Sequence, residues 1–116
     1  MNKQEKKMFI EDMKCLMEEY SGIGLASPQV SREDLNIVLI RNRAYENPWI
    51  LYKSKRGDVQ AEGCLSFPGV ERAVHRSVWI LMIYRWGVKL MRGLDARIAQ
   101  HEIDHLWGKT ILDYKK

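Results

Sequence analysis

The sequence predicts an α+β fold: small antiparallel sheets packed around a central motif-bearing helix, with a further helix at the N-terminus. Three observations predict it. Residues 3–20 repeat apolar side chains at helical spacing. The middle of the chain carries short β-branched and apolar runs separated by Gly, Pro and Asn. Near the C-terminus a second helical stretch holds Gln100-His101-Glu102-Ile103-Asp104-His105, with two histidines four apart. With 116 residues the chain reads as one domain, 1–116.

In the first element Phe9, Met13, Leu16, Met17 and Tyr20 share a face, Lys and Glu fill the other, and Gly22 is the expected stop. Cys15 lies in this helix and is expected in or near the core, as a small free hydrophobe; the methionines are read as packing. Ser21 to Val30 reads on its own as a connecting turn, although Gly22 and Gly24 permit a close approach of main chain to a ligand. It lacks the Lys-Ser/Thr ending of a phosphate loop. Asn36–Arg41 is a buried strand, Asn47-Pro48 a turn and Trp49–Lys53 another strand. Lys55–Asp58 reads as a loop and Phe67-Pro68-Gly69 as a turn. Ser77–Tyr84 is the strongest strand candidate, joined through Arg85-Trp86-Gly87 to Val88–Met91. Gly93 ends the strands, Asp95 is the expected N-cap of the second helix, and Gly108 its stop. Residues 110–114 are too few for a further long helix, and His75 is read as a strand or loop residue without a catalytic role.

Composition narrows the function classes. A hydrophobic share of 46% and a charged share of 29% belong to an ordinary globular protein. The net charge of +4 is scattered in pairs, with no block of five like charges, which argues against direct nucleic-acid recognition by a basic tail; a mildly basic surface still favours encounter with an RNA-rich partner. The longest apolar run, Val78 to Tyr84, is far below the roughly 18 residues that span a bilayer. The first residues lack the apolar core of a signal peptide, so a cytoplasmic protein is expected. Two cysteines imply no disulfide framework.

The histidine pair carries the chemistry. On a helix, residues four apart share a face, so His101 and His105 can aim ring nitrogens at one metal ion. Glu102 is turned by roughly 100° from His101, which sets its carboxylate beside an open coordination position as a general base for a metal-activated water. Catalytic sites of this kind take three protein ligands. Cys64, flanked by Gly63, is the first candidate for the third; Cys15, embedded in the long helix, is the weaker one.

Gly22-Ile-Gly-Leu-Ala-Ser-Pro-Gln29, Glu62-Gly-Cys-Leu-Ser66 and Gln100-His-Glu-Ile-Asp-His105 resemble, in order, the three signature motifs of the peptide deformylase family. Asn47-Pro48 and Arg76 also match common family positions, and the resemblance covers roughly residues 8–114. It implies removal of the formyl group from N-formylmethionyl nascent peptides, with release of formate. Cys64, His101 and His105 then become ligands of one divalent metal ion, Fe2+ in cells and replaceable by Zn2+, Ni2+ or Co2+. Glu102 becomes the catalytic base and acid; the Gln29 amide and the Leu65 backbone N–H become donors to the formyl oxygen. Ile23, Gly24 and Gly63 would meet the substrate main chain, and Ile23, Leu94 and Ile98 would line the methionine pocket. The short ends resemble the compact, bacteriophage-like form that lacks the C-terminal extension, which leaves transient ribosome contact without that extension to support it. Ser27 stands where the family usually has Ala, placing a hydroxyl near Gln29, and Glu71 where it often has Arg.

Two other readings compete. A zinc peptidase built on H-E-x-x-H is opposed by the missing acidic ligand downstream of His105. A non-catalytic metal-binding or ribosome-associated relative is opposed by the retention of Gln29, Glu102 and all three ligand candidates.

Overall fold

The computed structural model describes residues 1–114. In chain order it has helix α1 (Lys3–Glu19), strands β1 (Gly24–Ala26), β2 (Ile37–Ile40), β3 (Arg43–Glu46), β4 (Trp49–Lys53), β5 (Gly57–Cys64), β6 (Phe67–Ser77), β7 (Trp79–Tyr84) and β8 (Gly87–Arg92), then helix α2 (Gly93–Leu106). Short 3-10 turns cover Ser27–Val30 and Ile111–Asp113. The strands form three antiparallel sheets, ordered β1-β2-β3, β4-β7-β8 and β5-β6. The α+β expectation holds.

The sheets close around α2, whose Ala96, Ile98, Ala99 and Ile103 form one core with Val38, Ile40, Ile80, Met82 and Met91. Ile37 and Leu39 point the other way, into a second cluster with Met13 and Met17 of α1. Strand β2 is thus buried on both faces, which is why it reads as an unbroken apolar run rather than an alternating one.

Several expectations fail for identifiable reasons. Cys15 is exposed: it lies about 200° around the helix from both buried residues, Met13 and Met17. Tyr20, at the helix end, is exposed too. The left-handed residue that ends α1 is Ser21 (φ 55°), one place before Gly22. At Gly22 a Cβ would meet Leu65 Cδ1 at 2.7 Å, so a side chain there would require Leu65 to shift.

Gly57-Asp58 belong to β5, and the turn of the β5–β6 hairpin is Leu65-Ser66, not Phe67-Pro68-Gly69. The register jumps from Glu62↔Arg72 to Cys64↔Phe67, so residues 68–71 bulge opposite Gly63. The Pro-Gly signal therefore marks a bulge inside β6. Ser77 ends β6 rather than opening β7. Asp95 does not cap α2: the chain enters the helix straight from β8, with extended Arg92 at the N-cap and Gly93 (φ 58°) as the first helical residue. Asp95 acts from the first turn, accepting from Arg41 Nε at 2.6 Å. Gly108 (φ 77°) ends α2 as expected.

Candidate active site

Helix α2 presents His101 and His105 on one face, with ring centroids 5.0 Å apart. The end of β5 brings Cys64 to them, and the donor atoms of all three residues lie within 4.8 Å of one another. The Cys64 sulfur is 3.5 Å from His105 Nε2. His101 turns Nδ1 toward Glu62 Oε1 at 2.9 Å, which leaves Nε2 for the cluster. Cys15 is not part of it.

Glu62, only two residues before Cys64 and so on the same side of β5, is itself held on several sides. Arg76 forks onto both of its oxygens, at 3.0 and 2.9 Å. Arg97 donates to Oε2 and ties the same site to the backbone oxygens of Val74 and Asp58. Arg76 also reaches Asp104 at 2.6 Å, where Tyr114 donates a second bond. Neither Glu62 nor Arg97 has a role that the sequence motifs reveal. Spacing held a signal for the latter, since Arg97 lies one helical turn before His101 and shares its face.

The electrostatics follow from this geometry. Burial alone would raise the Cys64 thiol, yet hydrogen bonds from His101 and His105 bring it down to about 5. Burial works against a charged His101, yet the Cys64 sulfur and Glu62 carry it up to about 10. Glu62, also opposed by burial, is drawn down to about 2 by His101 and Arg76. A thiolate and imidazoles that share a proton form a site built for positive charge, and a divalent cation can take that proton's place. Glu102 supplies a second indication: buried at 5% exposure, its Oε1 has no hydrogen-bond partner among the described residues and lies 4.0 Å from His105 Nε2. Burial pushes its pKa to about 8. Soft sulfur, two imidazoles and an orphaned carboxylate oxygen beside them fit a metal ion with room for one more ligand.

The cluster floors a cleft of about 670 Å³. Ile23, Gly24, Gln29, Gly63, Leu65, Leu94 and Ile98 line it together with Cys64, His101 and Glu102, and His105 lies behind them. Gly24 is there for space: a Cβ would come within 2.5 Å of Glu102 Oε2 and 2.8 Å of Ile98 Cγ2. The close approach read from the sequence is thus to the carboxylate. The Gln29 amide is oriented by its oxygen, which accepts from the Ala26 N–H at 2.8 Å, so its nitrogen faces Cys64 Sγ (3.4 Å) and Ser66 Oγ (3.0 Å). The buried Ser27 hydroxyl turns away from Gln29, donating to the Leu35 carbonyl and accepting from the Ile37 N–H. Glu71 is exposed on the cleft rim, and His75 is an exposed residue of β6.

Fold and site together define the class, an α+β protein with a Cys–His–His cluster able to hold a metal ion, carried on a hairpin end and a buried helix. Comparison with known proteins narrows it. A family-wide profile described as polypeptide deformylase matches residues 1–116. The chain is 39% identical over 120 residues to the peptide deformylase of Dictyoglomus turgidum, covering 95% of this chain and 76% of that one. It is 37% identical over 115 residues to that of Thermotoga neapolitana, covering 92% and 70%. Among solved structures, Plasmodium falciparum peptide deformylase in complex with an inhibitor superposes with a TM-score of 0.91 at 36% identity, covering 100% of this chain and 78% of that one. A probable peptide deformylase from synechococcus phage S-SSM7 superposes at 0.90 with 32% identity, covering 98% and 86%. The chain belongs to the polypeptide deformylase family. Neither the peptidase nor the non-catalytic reading is favoured by that membership.

Proposed function

We propose that this single domain removes the formyl group from the N-formylmethionine of nascent polypeptides and releases formate, with Fe2+ as its ion in cells and Zn2+, Ni2+ or Co2+ able to replace it. The observation that carries the proposal is the buried, unpartnered Glu102 oxygen beside the Cys64–His101–His105 cluster at the cleft floor.

Cys64, His101 and His105 would hold a divalent ion, which would supply Lewis acidity and lower the pKa of a water toward about 7. Glu102 takes the proton from the attacking water as the oxygen–carbon bond forms. It returns that proton to the nitrogen as the carbon–nitrogen bond breaks, leaving formate and a free amine. Burial raises the affinity of Glu102 for a proton, which helps the carboxyl hold it between the two steps. The Gln29 amide and the Leu65 N–H donate to the formyl oxygen, where one such donor is worth about 2.7–4 kcal/mol.

Strand β1 is at the edge of its sheet and β5 pairs only with β6 among the described residues. An extended peptide between them can bond to the main chain around Ile23, Gly24 and Gly63. Ile23 and Leu94, each half exposed, and buried Ile98 offer apolar cover to the methionine side chain. Such a substrate places the enzyme in the cytoplasm, in transient contact with the ribosome and without nucleic-acid recognition of its own; no helix of the described residues is long and apolar enough to cross a membrane.

The test is to incubate the Fe2+-loaded protein anaerobically with a formyl-Met tripeptide. Formate should appear in step with free amine. Cleavage of an internal peptide bond, or no formate, would refute the proposal.

A further inference from the structure

The outer face of the β4-β7-β8 sheet is apolar where a solvated sheet face is expected to be polar. Ile80, Met82 and Met91 point into the core, so their strand neighbours point out. Register sets those neighbours in rows across the sheet: Trp49, Ile83 and Val88 in one, Tyr52, Leu81 and Leu90 in the next, then Trp79 beside Arg92. Leu51 bulges out between the first two rows, and Trp107 continues the patch with its ring 5.1 Å from that of Trp49, edge to face. None of these residues lines the cleft.

We propose that this face pairs with the same face of a second copy of the chain. The size fits. Trp49, Tyr52, Trp79 and Trp107 are 55%, 62%, 39% and 63% exposed; at 150–250 Å² per aromatic side chain they offer roughly 300–550 Å². Leu51, Val88 and Leu90, each about half exposed, bring the face toward the roughly 800 Å² per partner of a stable interface.

The shape is self-complementary. Bulky Trp49 and Tyr52 lie along β4, small Val88 and Leu90 along β8, with β7 between them. A two-fold axis parallel to β7 lays the bulky edge of each copy over the small edge of the other. Strands β4, β7 and β8 contain no Asp or Glu. Of the three cations, Lys53 and Arg92 stand at the strand ends and stay at the solvated rim, while Lys89 pairs with core-facing Met82 and so lies on the opposite face. The two copies therefore repel at long range, and salt should strengthen the pairing rather than weaken it.

Sedimentation equilibrium of the full chain tests this. The apparent mass should rise with concentration from 13.7 kDa toward twice that value, and more readily at high salt. Leu90→Lys and Tyr52→Lys should each weaken association at least tenfold while leaving far-UV circular dichroism and formate release per chain unchanged. Should Leu90→Lys fail to fold, Tyr52→Lys, at the more exposed position, carries the same test. A single-chain mass up to about 1 mM, or association untouched by both substitutions, would overturn the proposal. So would a face that binds an RNA oligonucleotide or anionic phosphatidylglycerol vesicles in a salt-weakened manner while the protein stays monomeric.

Discussion

Two carboxylates flank His101 and are driven in opposite directions. Glu62, surrounded by Arg76, Arg97 and the His101 ring, is drawn down to about 2; Glu102, buried with one oxygen unpartnered, is pushed up to about 8. One is a fixed anion that orients the His101 ring, the other a group able to carry a proton. Glu102→Ala should therefore keep the metal and lose about 10²–10⁴-fold in turnover, checked by formate release alongside elemental analysis. Glu62→Gln removes the charge that orients His101 and should weaken metal affinity about 10–100-fold, read from competition with a chelator. The same substitution has a pH signature. Because the folded pKa of Glu62 lies below its ordinary value of 4.5, its contribution to stability is full above about 4.5 and is lost as pH falls toward 2. Urea titrations of metal-free protein at pH 5 and pH 3 should show a steep loss in the original chain and a shallower one in Glu62→Gln. At this scale the histidine pair of the cluster was legible because His101 and His105 announce themselves by spacing. Glu62 was not, and Arg97 showed its face by spacing but not its partner, because an ion pair across 35 residues leaves no local pattern.

Among the elements, β1 and α2 decide the site. The two pass so closely that position 24 has no space for a side chain. Gly24→Ala should displace Glu102 or β1, lowering kcat while Cys64, His101 and His105 still bind metal; an unchanged rate would show that the strand yields freely. Strand β1 was hidden in the sequence because Gly24-Leu25-Ala26 has little β-propensity and pairs only through the register of β2. The β5–β6 hairpin was legible as two strands but not in its turn, because Pro68-Gly69 imitate a chain reversal while forming a bulge. Cys15 misled for a similar reason: residue type argued for burial, whereas its angle on α1 decided for solvent.

Across the whole molecule, α2 is both the centre of the main core and the bearer of two cluster residues. Site and stability are therefore one system. Chelation should lower Tm, since an ion bound only by the folded state stabilises it by mass action; re-addition of Zn2+ or Co2+ should restore it, and a Tm indifferent to chelator would separate the cluster from folding. The fold class was readable at this scale because helical periods stand near the two ends of the chain and a run of short strands fills the stretch between them. The partition into three sheets was not, since β4 skips over the β5–β6 hairpin to pair with β7.

In the proposed site one thiolate and two imidazoles share one ion beside Glu102. Titrating metal-free protein with Co2+ and following its absorption tests this most directly. One equivalent should produce a thiolate-to-cobalt charge-transfer band in the original chain and in Glu102→Gln, and no such band in Cys64→Ser. A band that survives the loss of Cys64, or stoichiometric binding without any band in the original chain, would contradict it.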